Sequence, residues 1–427
     1  MKNLVKILTL FALCLCGLLS CPGSALAQFD GDPEVPVLVQ NADAVCVAKV
    51  VAVTQVTPTK FEARHHGRGG LPVFIDAQSA VAEVAVQSVL KGKISPKSIT
   101  VAFYKNVPEG LNPTPFTELA AGETDIIFLK ATDNEANFTL SQPSSHGKSK
   151  ITIGDAKIGP TPADISPLRA VLLVLADALT GGSKPVKLEC LDRIGSAGVL
   201  LYVKTDVWVD KGAVARRTAL GEPLMADNPS SSLEAFIRAK VLPTVLKLTT
   251  DSDADVRDQA VLAAGNLQDV GIIPALAKLA DKQYKPGEQG IAASIFREYR
   301  NPDATRALVG VLGDSNPNVR SQAAAALRES ADPVAVPALL EHLDDPDPDA
   351  RYYIVTALYT ATDTPQYPGT VLFHADEDKY VSLMRKWADE HQDKVAALQE
   401  QFLAPLTLKA LPLKPAPLKP APLKPAH

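Results

Sequence analysis

Two adjacent histidines, in Arg64-His65-His66-Gly67-Arg68-Gly69-Gly70, are the residues whose type most directly suggests chemistry, because neutral imidazoles bind transition metals. Adjacent ligands leave a coordination sphere incomplete unless the fold supplies more. With an arginine on either side and three glycines after them, the segment reads instead as a mildly basic hairpin loop. The chain has seven histidines, and no other two adjoin. Gly-x-Ser-x-Gly, a glycine-rich phosphate loop, His-Glu-x-x-His and Cys-x-x-Cys are all absent. The expectation is a non-enzymatic protein with no catalytic, cofactor or metal residues. An enzyme whose site is assembled from distant residues stands as a third reading.

Other charged residues recur in register. Val256-Arg257-x-x-Ala260-x-x-Ala263-Ala264 returns as Val319-Arg320-x-x-Ala323-x-x-Ala326-Leu327 and as Ala350-Arg351-x-x-Ile354-x-x-Ala357-Leu358. A degenerate copy, Gln289-x-x-Ala292-x-x-Ile295-Phe296, fills the gap. A second landmark falls at Pro243, Pro274, Arg306 and Pro337, in steps of 31, 32 and 31. A unit of this length is one helix pair that cannot bury its own apolar face and must stack on its neighbours. Stacked pairs offer a long surface, so the region reads as a binding module for a protein partner that the sequence does not name.

Each part of the unit has a physical reason. Asp251-Ser-Asp-Ala-Asp, Asp314-Ser-Asn-Pro-Asn and Asp345-Pro-Asp-Pro-Asp precede the arginines, and such clusters cap helices whose first N–H groups favour an acceptor and negative charge. The alanines let neighbouring helices approach closely, and Leu246, Leu276, Leu308 and Leu339 supply larger apolar contacts. Arg257, Arg320 and Arg351 read as structural ladder residues. Lys247, Lys278, Gly310 and Glu341 follow the second landmark by four residues, a row that faces solvent if the leucines point inward. Lys247, Lys278 and Glu341 are therefore the candidate partner-binding residues. Their mixed charge implies no phosphate track and no partner of a single sign.

These units resemble HEAT repeats, in particular the short bacterial variety named after phycobilin lyases, over about four copies. The resemblance implies an α-solenoid in which the arginines pair with acidic caps of adjacent units and the second helices line a concave face. Regular repeats are expected over 241–375. Ser166-Pro167 followed by Leu168 to Leu179 and Gly181-Gly182 has helix start and stop signals, and marks a boundary near Pro160 to Asp164. Residues 185–220, interrupted by Gly195 and Gly198, read as an irregular front cap. Ser232 is the expected N-cap of a helix running through Ala239. Tyr380, Leu383, Met384, Trp387, Val395 and Leu398 give a closing cap over 377–403.

From Val37 to about Ile153 the periodicity changes. Ala44 to Val53 is nearly continuous and β-branched, like a buried strand; Ala80 to Val89 and Ser98 to Tyr104 alternate; Asp125 to Lys130 is a short apolar run. Phe138 to Leu140 and Lys150 to Ile153 are expected to pair as closing strands. Strands without intervening helices mean a small sandwich or barrel. Asn41-Ala-Asp-Ala-Val-Cys-Val-Ala-Lys-Val50, Val89-Leu-Lys-Gly92 and Leu119-Ala-Ala-Gly-Glu-Thr-Asp-Ile-Ile-Phe-Leu129 resemble the netrin-like module, the OB-type barrel of tissue inhibitors of metalloproteinases. The resemblance implies the barrel for 28–160. It implies inhibition less strongly, because those inhibitors chelate zinc through an N-terminal cysteine amine and brace the barrel with disulfides. Here no cysteine lies between Cys21 and Cys46 or between Cys46 and Cys190. The fold class is thus multidomain α+β: an all-β OB-like barrel, then an all-α HEAT-like solenoid over 161–404.

Lys2, Lys6, an apolar run through Leu19 and Ala25-Leu26-Ala27 have the order of a secretory signal peptide cleaved after Ala27. Leu18-Leu19-Ser20-Cys21 offers the alternative of a lipoprotein anchored at Cys21. Export leaves Cys46 and Cys190, assigned to different domains and read as two buried free thiols. The net charge of -5 argues against a nucleic-acid partner, and no apolar stretch is long enough to span a bilayer. Pro412 to Ala416 repeats twice more, with Lys409, Lys414, Lys419 and Lys424 every five residues. This 405–427 tail reads as an extended disordered spacer or, alternatively, a basic tether to an anionic envelope surface or a polyproline-binding groove. The function expected is an exported adaptor, with an inhibitor or sensor of an extracellular hydrolase as runner-up.

Overall fold

The computed structural model describes residues 34–63, 73–95, 97–105, 117–133, 136–141, 149–162, 164–197, 220, 232–281, 286–299, 302–365 and 368–404. The leader, the His65-His66 loop, the segment 198–219 and the Pro-Lys tail lie outside them.

The first element of the described residues is a helix, α1 (Val35–Asn41), which the β-branched sequence had concealed; Pro36 sits in its first turn, where a missing N–H costs nothing. Six strands follow: β1 (Ala44–Ala63), β2 (Val73–Lys91), β3 (Ser98–Lys105), β4 (Thr124–Ala131), β5 (Asn137–Leu140) and β6 (Lys150–Thr152). Their order is β1-β2-β3-β5-β4, closed by pairing of β1 with β4, and only β3 and β5 run parallel. This is a five-stranded mixed barrel with the OB-type strand order. The expected pairing of Phe138–Leu140 with Lys150–Ile153 is corrected: β6 lies on β4 at Asp125–Ile127, and β5 lies on β4 at Leu129–Ala131. Four register shifts along β1 and β2 let these long strands curl around the barrel.

The start of β1, from Ala44 to Val50, reads as nearly continuous apolar sequence because both of its faces are covered there. Ala44, Cys46, Ala48 and Val50 point into the barrel with Ile99, Val101, Ile127 and Leu129. Val45 and Val47 point out, and with Ile126, Phe128 and Ile151 they join the core of the helical region.

The helices α2 (Pro167–Gly181), α3 (Lys184–Ser196), α4 (Leu233–Phe236), α5 (Leu242–Leu248), α6 (Ala254–Asn266), α7 (Ile273–Leu279), α8 (Pro286–Arg297), α9 (Pro302–Val311), α10 (Pro317–Ser330), α11 (Val336–Glu341) and α12 (Pro348–Ala361) form two layers. The longer ones, α3, α6, α8, α10 and α12, pack in succession; α5, α7, α9 and α11 form the second layer. Ser166 and Ser232 cap α2 and α4 as their hydroxyls predict, accepting from the N–H of Arg169 and Ala235. Between α4 and α5 the chain makes a π-helical turn, Ile237–Val241. Pro243, which lacks an N–H, stands just beyond it.

Two expectations change here. Gly195 does not interrupt a helix: α3 runs through it and packs along α6, with Gly195 so near Ala263 that an added Cβ would lie 3.4 Å from its Cα. In the first unit the inward residue is Val245, fully buried, while Leu246 is only half-buried. Leu276, Leu308 and Leu339 are buried as expected.

Past α12 come α13 (Thr370–Ala375), α14 (Glu377–Glu390) and α15 (Gln392–Leu403). Phe373 is buried against Tyr352 and Tyr380, with ring centroids 5.5 and 6.0 Å away, so α13 and α14 cover the end of the stack. α15 turns back along α11 and the 3-10 turn Pro333–Ala335.

Candidate functional site

One hydrogen-bond scheme builds the repeat loops. The first aspartate takes the N–H two residues on: Asp251 from Asp253, Asp314 from Asn316 and Asp345 from Asp347, at 2.8–3.0 Å. The next side chain caps the helix: Asp253 accepts from Asp255 and Val256, Asn316 from Asn318, and Asp347 from Ala350. The arginine then reaches back. Nη1 of Arg257, Arg320 and Arg351 donates to the carbonyls of Asp251, Asp314 and Asp345 at 2.7, 2.9 and 2.6 Å, satisfying acceptors in the loop between the two helices of the unit.

The rest of each guanidinium joins units. Arg320 donates from Nε and Nη2 to the two oxygens of Asp345 at 2.6 and 2.7 Å, and Arg351 donates from Nε to Glu377 at 2.9 Å. Burial pushes the Asp345 carboxyl up, but the Arg320 and Asp347 hydrogen bonds outweigh it and hold the group below the usual carboxylate range. Arg257 departs from the expected pairing with the next unit: its hydrogen bonds go to the carbonyls of Asp251 and Ser252 in its own loop. Asp281, at the next loop, accepts from Nδ2 of Asn316 and of Asn318. Lys187 and Lys184 of α3 extend the ladder forward, to Asp251 at 2.7 Å and to Asp255 and Asp253 at 2.6 and 2.9 Å. No sequence signal marked these lysines, because α3 carries no copy of the arginine motif.

Lys247, Lys278, Gly310 and Glu341 lie on α5, α7, α9 and α11, and all four are exposed. They form a strip along the short-helix layer, one residue per unit, and nothing brings them to a common point.

Arg306 interrupts that layer, and its chemistry was missed although its position was not. It stands where the other units have Pro243, Pro274 and Pro337. Nε donates to the carbonyl of Phe402 at 2.9 Å, and Nη2 donates to those of Gln401 and Ala404 at 3.1 and 3.0 Å. Its Cζ lies 5.9 Å from the Phe402 ring centroid. A cation on the last carbonyls of a helix is favoured by the helix dipole.

The barrel holds a different charged group. Asp125 of β4 is fully buried, with Lys150 Nζ 3.7 Å from its Oδ2, and Lys150 also pairs with Glu123. Burial, opposed by the Lys150 charge, pushes the Asp125 carboxyl up to about 6. The thiols of Cys46 and Cys190 are free and buried, and burial pushes each up to about 12, which suits packing and not nucleophilic attack. Among the described residues no group of three or more His, Cys, Asp and Glu side chains is arranged to hold a metal; His65 and His66 lie outside them. Among the described residues no helix is long and apolar enough to cross a membrane.

The family model for HEAT repeats matches residues 285–358. Among solved structures, a designed armadillo repeat protein in complex with the peptide (KR)4 is 19% identical, covering 45% of this chain and 83% of its own, with a TM-score of 0.27. An engineered protein is 20% identical over 47% of this chain and 93% of its own, with a TM-score of 0.21. Human deoxyhypusine hydroxylase in complex with glycerol is 18% identical over 53% of this chain and 85% of its own, with a TM-score of 0.20. No curated protein matches.

Proposed function

We propose that this chain is an exported, non-enzymatic scaffold or adaptor of the bacterial cell envelope, binding a protein partner along the short-helix strip while the barrel positions a second contact. The observation that carries the reading is the strip itself. Successive units leave Lys247, Lys278, Gly310 and Glu341 exposed at equivalent places, whereas Arg257, Arg320 and Arg351 serve the joints within and between units. A HEAT-repeat match over 285–358 supports binding as the role of such a layer. Export rests on Lys2, Lys6, the apolar run and Ala25-Leu26-Ala27.

The test is cross-linked capture from native envelope extract by the mature chain, compared with K247E/K278E/E341K. Loss of at least ~10-fold of a specifically captured protein is expected, a change of about 1.4 kcal/mol or more in binding. Equal capture by both chains overturns the strip. A second arm lacking Pro412 to His427 asks whether the basic tail tethers the protein to the envelope surface.

The OB-type strand order favours one further reading, a netrin-like inhibitor or sensor of an extracellular hydrolase. Its assay belongs on the whole mature chain, since excising the barrel would expose Val45, Val47, Ile126 and Phe128. Lack of inhibition across a protease panel sinks it.

A further inference from the structure

Among the described helices of the solenoid, α15 is the one whose last turn is held by an arginine on three of its backbone carbonyls. Its inward residues Val395, Leu398, Gln399 and Phe402 follow the i, i+3, i+4, i+7 spacing of one helical stripe, yet none of its residues is buried. Leu398 reaches the core only as a half-buried side chain, and Leu403 is 70% exposed. What fixes the helix end is Arg306, through three backbone carbonyls and the Phe402 ring. These contacts read no side chain apart from one aromatic ring. Any amphipathic helix ending in the same way satisfies them equally. The fit is also incomplete, because Arg306 Nη1 is buried with no hydrogen-bond partner. Arg306 is the position at which this unit departs from the proline of the others, so the seat is a local addition to the repeat and not a consequence of it.

We propose that the face made by α9, the turn Pro333–Ala335 and α11 is a seat for the C-terminal end of an amphipathic helix with an aromatic residue in its last turn, filled in cis by α15 and yielded to a partner's helix of the same chemistry. The proposal rests on the protein-binding reading above and places one contact within it. α15 competes with the partner for the same layer that carries Gly310 and Glu341.

The probe is a labelled peptide of residues 392–404, added to the full mature chain and followed by fluorescence anisotropy. In wild type the tethered helix keeps it out. In the full chain carrying L398D/F402D, which unseats α15, the peptide is expected to bind at least ~10-fold tighter, and adding R306A is expected to abolish that gain. A peptide this short is mostly unfolded in water, so the ratio between chains is the readout, not the absolute affinity. Equal binding to the wild-type and unseated chains, or binding indifferent to R306A, overturns the proposal. Hydrogen exchange on the single variant R306A guards against misfolding of the double one. Residues 392–403 should exchange at least ~10-fold faster while α10 and α12 are unchanged, and unaltered exchange in α15 counts against the seat. Failure of envelope capture with success here would remove the proposed partner function and leave the seat standing.

Discussion

The guanidinium of Arg320 and the carboxylate of Asp345 face each other through two hydrogen bonds of 2.6 and 2.7 Å, with the side chains only 11% and 2% exposed. The pair fastens the start of α10 to the loop that opens the next unit. Removing one partner leaves a desolvated charge behind, so R320A is expected to cost about 3–5 kcal/mol in chemical denaturation. R320A/D345A should cost clearly less than the two single changes summed, because the orphaned charge is gone. Strict additivity would show that the two groups do not act together.

Gln268, Ala331 and Asp363 all have positive φ, at 59°, 51° and 55°, and each follows a long helix of the stack. A β-carbon is unwelcome there, and none of the three is the glycine or asparagine that usually fills the position. Ala331→Gly should therefore raise stability by roughly 0.5–1 kcal/mol, and Ala331→Val should lower it. A lower melting temperature for the glycine variant would contradict the reading.

Asp125 gives the barrel a pH dependence. Its folded-state value of about 6 lies above the ordinary 3.8, so the folded state holds a proton that the unfolded chain releases earlier. Stability falls as pH rises from about 4 to 6, and the full penalty applies above 6. Asp125→Asn should stabilise the protein by about 1–3 kcal/mol at pH 7.5 and by much less at pH 4. Lys150→Met, which removes the nearest cation, should do the opposite. Equal gains for Asp125→Asn at both pH values would exclude this cause.

Gly92 has φ +74°, and a Cβ there would lie 2.4 Å from the carbonyl oxygen of Asp43. Its neighbour Lys91 donates to the carbonyls of Val39 and Ala42 at 2.7 and 2.5 Å, capping α1. Gly92→Ala should lose about 2–4 kcal/mol from combined strain and overlap. Lys91→Met should lose about 1–2 kcal/mol. Near-wild-type urea midpoints for both would mean that this corner is looser than its geometry indicates.

Periodic residues made the repeats legible. Arg320 and Ala323 announce their environment because type and position recur together, and the alternation around Ala82 and Val84 announced β2 in the same way. Helix α1 was not legible, because Val35, Val37 and Val39 favour a strand in isolation and are helical only where Leu38 and Val39 can bury against α2 and α3. The run of α3 through Gly195 was hidden for a related reason: the glycine serves close approach to Ala263, and that is a property of the partner helix. For the candidate site, the exposed strip followed from spacing alone. The seat at Arg306 did not, since its ligand, the end of α15, lies 95 to 98 residues away. The departure from proline at that position was the one trace of it.

Val45, Val47, Ile126 and Phe128 sit on the outside of the barrel and inside the core of the solenoid. The barrel is thus the stack's terminal piece. Gene duplication can lengthen or shorten such a protein between α6 and α12, where each unit meets a near copy of itself. At the front α2 and α3 meet the outer face of the barrel instead of a near copy of themselves, so adding or removing a unit there would uncover that face. Barrel, α1, α2 and α3 therefore share one core, and a change of length that leaves that core intact falls in the repeats behind it.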